Sequence, residues 1–377
     1  MVVLNSLILW ILGINVSIVR GYNGVPDKPN YIIFYVENID QIAPDLQSPV
    51  IREELTNLNS LIQQSFNYRN VYGEASSSST FGALFTGKPA VDIGIIRGKL
   101  LPFDNFPSLA SSGGLSTKEP NLASILSAQG YKTSFYGYWK MGFGPQGVNN
   151  PMAHGFDTWF GVAYPHNEWC QHNKNSNQEP SAFSQQYLKL FYHTSFLWFL
   201  LFLILTVLAY IKLVTFHLYL NLLAYTISTA ISFCILLHLF IVQRTASCVL
   251  YKDNDIHLQP YDMNNLTLHF TNEANKFLLQ QQQHSPFMMV VNYLKMMPPY
   301  IHANHFAHER SRPRHSALME LNWSIGYLLE TMKELELFEE TIIVLTGGNS
   351  CSKRNTNQML KGFQKSQNGG FEEIVGK

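Results

Sequence analysis

Two long apolar runs, Thr194 to Ile211 and Asn221 to Val242, constrain this chain more than any other feature, because they are almost free of charge and sit close together. Each approaches the roughly 20 residues needed to cross the hydrocarbon core of a bilayer. Two buried helices of a soluble domain seldom look like this, so the pair predicts a transmembrane helical hairpin turning around Lys212 and His217. Polar sequence borders it on both sides, from Asn173 to Gln186 and from Tyr251 to Asp262. The hairpin therefore reads as an insertion into one otherwise soluble domain, with both flanks on the same side of the membrane.

The first 21 residues contain the apolar run Leu7 to Leu12 followed by small and polar residues, which reads as a signal peptide. Arg20 follows the apolar run, so an uncleaved anchor is the alternative. With cleavage, the bulk of the chain is lumenal in the endoplasmic reticulum or another secretory-pathway membrane, and the Lys212 turn is cytosolic, in line with the positive-inside preference. Lysine plus arginine and aspartate plus glutamate number 26 each, so no net field draws the chain to nucleic acid. Membrane lipid is the partner that the apolar runs imply.

A secretory route permits disulfides and N-glycosylation. Asn265-Leu-Thr267 is the expected glycosylation site, whereas Asn322-Trp-Ser324 lies in a helical pattern and is expected to stay unmodified. Cys234 falls within the second apolar run and reads as a buried thiol. Cys170 and Cys248 border the hairpin and could be bridged to pin its ends, with Cys351 as the rival partner.

Outside the hairpin, Tyr31 to Val36, Phe287 to Val291 and Thr341 to Leu345 read as buried strands. Between the last two, Leu318, Leu321, Ile325, Leu328, Leu329, Met332 and Leu335 recur at helical spacing. This order implies an α/β fold. The expected division is 1–21 signal peptide, 22–190 first part of the α/β domain, 191–245 hairpin and 246–377 second part.

The tract Ala75-Ser-Ser-Ser-Ser-Thr-Phe-Gly-Ala-Leu-Phe-Thr-Gly-Lys88 has the layout of a Cys-x-Pro-Ser-Arg signature followed by Leu-Thr-Gly-Arg. Gly130-Tyr-Lys-Thr-Ser-Phe-Tyr-Gly-Tyr-Trp-Lys-Met-Gly142 matches Gly-Tyr-x-Thr followed by Gly-Lys-Trp-His-Leu-Gly. Pro151-Met-Ala-His-Gly-Phe-Asp-Thr-Trp-Phe-Gly161 comes next, and Pro286 to Leu294 and Leu321 to Gly326 follow in the same order. With these blocks the chain resembles the sulfatase family, and an inserted pair of membrane helices after the His-Gly-Phe-Asp block resembles its steroid-sulfatase (arylsulfatase C)-like group. The resemblance implies an alkaline-phosphatase/sulfatase-like mixed sheet flanked by helices, carrying the inserted hairpin. It also implies a smaller carboxy-terminal domain, which this chain lacks room for after Gly370, so the second part is expected to be truncated.

In that family the nucleophile is a formylglycine made from the signature cysteine; here the position is Ser77, and the accompanying proline and arginine are Ser79 and Phe81. The family's calcium ligands fall on Glu37, Asn38, Gly348, Asn349 and Ser77, so three anionic carboxylates have become one and calcium is expected to be largely lost. Glu37 and Asn38 could equally cap the loop after a strand. Tyr138 stands at a family lysine, Lys140 at a histidine, and Lys295 with Met297 at a later pair of histidines; Lys361 or Lys365 stands at another sulfate-binding lysine. The catalytic positions are thus Ser77, Lys140 and Lys295, the metal positions Glu37, Asn38 and Asn349, and the substrate-binding position Tyr138. The resemblance then implies a sulfatase homologue without catalysis, with a sulfated or steroid-like small molecule as its ligand class. A divergent sulfuric-ester hydrolase and a truncated, decaying gene product are the alternatives.

Overall fold

The computed structural model describes residues 17–19, 28–37, 49–67, 73–74, 77–95, 114–144, 147–163, 182–210, 223, 225–234, 237, 248–281, 285–296, 300–307 and 312–347. The strands are β1 Ser17–Val19, β2 Asn30–Val36, β3 Ser65–Asn67, β4 Lys132–Tyr138, β5 Thr158–Val162, β6 Leu250–Lys252, β7 Asp255–Leu258, β8 Phe287–Tyr293 and β9 Thr341–Thr346. The helices are α1 Pro49–Glu54, α2 Thr56–Gln63, α3 Ser77–Thr86, α4 Leu122–Ala128, α5 Ala182–Tyr210, α6 Leu266–Leu279 and α7 Pro313–Glu334. The chain divides into two compact units, one of Met1–Tyr164, Tyr251–Asp255 and Asn264–Lys377, the other of Pro165–Leu250 and Ile256–Met263.

Among the described residues the strands make one sheet in the order β3-β1-β9-β2-β8-β4-β5-β6-β7. Its centre, β9-β2-β8-β4-β5, is parallel throughout, while β1 runs antiparallel to β9 and β3, and β6 antiparallel to β5. The expected mixed sheet is present. Parallel strands covered on both faces need continuous apolar runs, and Phe287–Tyr293 is buried at every residue. β1 lies within the stretch read as a signal peptide, so its pairing is that of the uncleaved chain.

Successive side chains of a strand point to opposite faces, and the neighbours of β4 show what covers each face. Phe135 meets Phe81 of α3 and Phe156, whereas Tyr136 meets Phe277 of α6. On the first face Phe81, Phe85, Phe135, Trp139 and Phe156 form one aromatic cluster with centroids 4.7–6.4 Å apart. Edge-to-face contacts at these separations add to the area buried by each ring. On the second, α7 packs on α6 and α2, and Asn322 accepts a 2.9 Å hydrogen bond from the Leu58 amide. Asn322 is buried, which supports its reading as an unmodified helix residue. Asn265 is exposed at the start of α6.

The motif blocks that survive intact turn out to be fold-building. The Asp157 carboxylate accepts from the Thr133 amide at 2.8 Å and from its hydroxyl at 3.1 Å, joining the Gly-Tyr-x-Thr block to the His-Gly-Phe-Asp block. Gly155 closes the turn between them at φ 93°, where an added Cβ would stand 2.6 Å from the Ser124 Cα. Only glycine takes that conformation without strain.

In the second unit, α5 takes in the first apolar run, and residues 225–234 are helical within the second. Among the described residues no helix is long and apolar enough to cross a membrane. Phe196, Leu197, Phe199 and Val207 of α5 are nonetheless exposed. Cys248 is buried and disulfide-bonded. Its expected partner Cys170, like Cys351, lies outside the described residues, and Cys234 is a free, exposed thiol.

Candidate functional site

The carboxyl ends of the parallel strands carry the site, where open α/β sheets gather their functional groups. Glu37 follows β2 directly, and its amide donates to the Tyr293 carbonyl at 3.1 Å, which continues the β2–β8 ladder by one step. Ser77 opens α3, a helix held down by Phe81 and by the Ser79 hydroxyl, which donates to the Ile95 carbonyl at 2.9 Å. Lys140 lies two residues beyond β4. Its loop is anchored by Trp139, whose indole N–H is shared between the Gly142 and Asn149 carbonyls at 2.8 Å each.

These three anchors bring Glu37, Ser77 and Lys140 into mutual contact. The Ser77 hydroxyl reaches Glu37 Oε1 at 2.7 Å and Oε2 at 2.8 Å, and Lys140 Nζ donates to Ser77 Oγ at 2.7 Å. Lys140 Nζ also forms an ion pair with Glu37 Oε1. The carboxylate and the ammonium are buried, with side chains 2% and 6% exposed. The ammonium lies 5.4 Å from the Tyr35 ring centroid and 5.6 Å from that of Tyr138. Rings at that range favour a desolvated cation. Burial drives the Tyr35 phenol above its ordinary pKa, an effect partly offset by the Ser77 hydroxyl.

Lys295 is engaged elsewhere. It follows β8 and pairs with Glu320 of α7 at 2.8 Å, donating also to the Ile301 carbonyl at 2.9 Å. Glu320 Oε2 accepts from the Ala303 amide at 2.8 Å, so the pair ties the 300–307 segment to α7. Burial pulls the Lys295 ammonium below its usual pKa, with Glu320 opposing that shift. Phe81, which the resemblance sets at a family arginine, is a buried core ring. Asn38, Met297, Gly348, Asn349, Lys361 and Lys365 lie outside the described residues.

Tyr35 and Glu320 were missed on sequence. Tyr35 was legible, because a strand of period two puts it on the same face as Glu37. Glu320 was not: it neighbours the apolar stripe of α7 and carries no motif.

The sulfatase family model matches residues 29–372. The chain belongs to the sulfatase family. Steryl-sulfatase of Homo sapiens is 29% identical over 247 residues, which cover 63% of this chain and 40% of that protein. Arylsulfatase H of Canis lupus familiaris is 25% identical over 254 residues, 64% of this chain and 42% of that protein. This sulfatase-family chain thus spans about two fifths of the length of these relatives. The PsFucS1 sulfatase from Pseudoalteromonas sp. superposes with a TM-score of 0.55 at 18% identity, covering 85% of this chain and 55% of that structure. At that identity the likeness establishes the fold alone.

Proposed function

We propose that this chain is a non-catalytic, membrane-attached member of the sulfatase family, of steroid-sulfatase-like type, in which sulfate-ester hydrolysis has been lost. The Glu37–Ser77–Lys140 contact carries this reading. A serine hydroxyl becomes a useful nucleophile only beside a group free to take its proton. Here the ammonium of Lys140 has no lone pair to offer, and the Glu37 carboxylate is already neutralised by that ammonium. An attack by Ser77 on sulfur would in any case leave a stable alkyl sulfate, since the serine carbon holds no second hydroxyl to expel it. Pocket occupancy by a sulfated or steroid-like small molecule belongs to the same proposal, as do lumenal placement in a secretory-pathway membrane and the Cys170–Cys248 bridge.

A divergent ester hydrolase is favoured by one observation, the 2.7 Å approach of Lys140 Nζ to Ser77 Oγ. The two readings separate in an aryl sulfate assay of the purified protein and of Ser77→Cys co-expressed with the formylglycine-generating enzyme. No product above an empty-vector control is expected from either, because Cys at 77 still lacks the proline and arginine context, and repairing one member of a unit that acts together recovers almost nothing. Turnover by either protein would overturn the proposal.

A further inference from the structure

The family resemblance implies a calcium ion against Ser77, and the described residues do not fit one. Hard divalent cations need several oxygen donors with enough negative charge among them. Among the described residues no group of three or more His, Cys, Asp or Glu side chains comes together. Glu37, the described carboxylate of the expected donor set, has its oxygens engaged: Oε1 by Lys140 and Ser77, Oε2 by Ser77.

We propose that the Lys140 ammonium is itself the cation of this site, a covalently tethered replacement for the metal that lets the Glu37 pocket fold and stay closed without a divalent ion. Three observations converge on it. The ammonium contacts the same carboxylate and the same side-chain oxygen at 77 that a metal there would share. Among the described residues one positive charge balances one negative charge in a buried site, whereas a divalent ion added beside Lys140 would bring further positive charge next to the ammonium. Tyr35 and Tyr138 present ring faces to the ammonium, a surround suited to an organic cation. The inference goes beyond the loss of catalysis and is read by stability, so a positive sulfate-release assay would leave it standing.

The test is thermal unfolding of the full chain in detergent micelles, followed by tryptophan fluorescence, with chelator or with millimolar calcium. The wild-type midpoint is expected to be the same in both. Lys140→Met keeps the stem volume but leaves Glu37 uncompensated; its midpoint should fall by on the order of 5 °C or more in chelator and rise with calcium. The double variant Lys140→Met/Glu37→Gln should recover most of the loss and ignore calcium. If the single variant cannot be isolated, a double variant that folds near the wild-type midpoint supports the proposal, and one that also fails to fold overturns it. Calcium stabilisation of the wild type would overturn it, as would a single variant that is no weaker than the double or that fails to respond to calcium.

Discussion

His154 is 1% exposed beside Trp139, with ring centroids 5.3 Å apart, and neither ring nitrogen has a hydrogen-bond partner among the described residues. Desolvation holds its pKa at about 4 against the usual 6.5. The folded chain therefore keeps it neutral while the unfolded chain takes up a proton between those values. Stability is complete above the unfolded pKa and falls as the pH drops from about 6.5 towards 4, by roughly 3 kcal/mol at the lower end. His154→Leu should match the wild type near pH 7.5 and lose less on acidification, as measured by denaturant midpoints across that range. Parallel pH profiles for the two proteins would remove His154 from the account. Little of this was visible in the sequence. The motif named His154, but its role as a neutral packing residue depends on Trp139 closing over it.

At the scale of elements, the long buried strands were legible and the short ones were not. Tyr31 to Val36, Phe287 to Val291 and Thr341 to Leu345 were expected, and β2, β8 and β9 match them to within two residues at either end. β4 and β5 lay hidden inside motif blocks, and edge strands of three or four residues are too short to show a period. What the blocks do is mechanical, and the Thr133–Asp157 clamp between β4 and the turn before β5 shows it. Asp157→Ala would strip the Thr133 amide and hydroxyl of a charged acceptor, although the Gly155 carbonyl still accepts from that hydroxyl at 2.8 Å. A loss of about 2 kcal/mol is expected, since hydrogen bonds to a charged group are each worth roughly 1.5–3 kcal/mol and one partner is kept. Chemical denaturation measures it; a change under about 0.5 kcal/mol, the ordinary surface range, would show that the block is not a clamp. The Thr133–Asp157 clamp holds two motif blocks to the sheet, while Ser77 and Lys140 meet Glu37 where separate loops converge. Sequence pattern reports the first kind reliably because packing is local and repetitive. The second depends on three loops converging, and the ion pair between Glu37 and Lys140 was not foreseen although both residues had been singled out.

For the whole molecule, the charge balance constrains the membrane attachment proposed above. With 26 basic and 26 acidic residues there is no net charge to bind an anionic surface, so the proposed attachment rests on apolar segments. α5 spans 29 residues and presents Phe196, Leu197, Phe199 and Val207 outward, although no described helix is by itself long and apolar enough to cross. Apolar side chains of that size left in water would each forgo about 1.5–3 kcal/mol of burial, and a patch of them marks a surface that something apolar covers. If Thr194 to Val242 is an integral hairpin, microsomes bearing the full chain should keep it in the pellet through both high salt and alkaline carbonate. Replacement of residues 191–245 by a flexible linker should move the protein to the supernatant. Peptide mapping of the same membranes without reductant should recover Cys170 joined to Cys248, a closure worth roughly 4 kcal/mol in the chain-entropy treatment of a loop this long. Carbonate release of the full chain would sink the hairpin, because peripheral contacts dissociate at high pH whereas a bilayer-spanning pair does not. Cys248 paired with Cys351 would leave the membrane reading intact but detach the bridge from the hairpin, since that link would join the hairpin's end to the segment beyond β9 in place of its own other end.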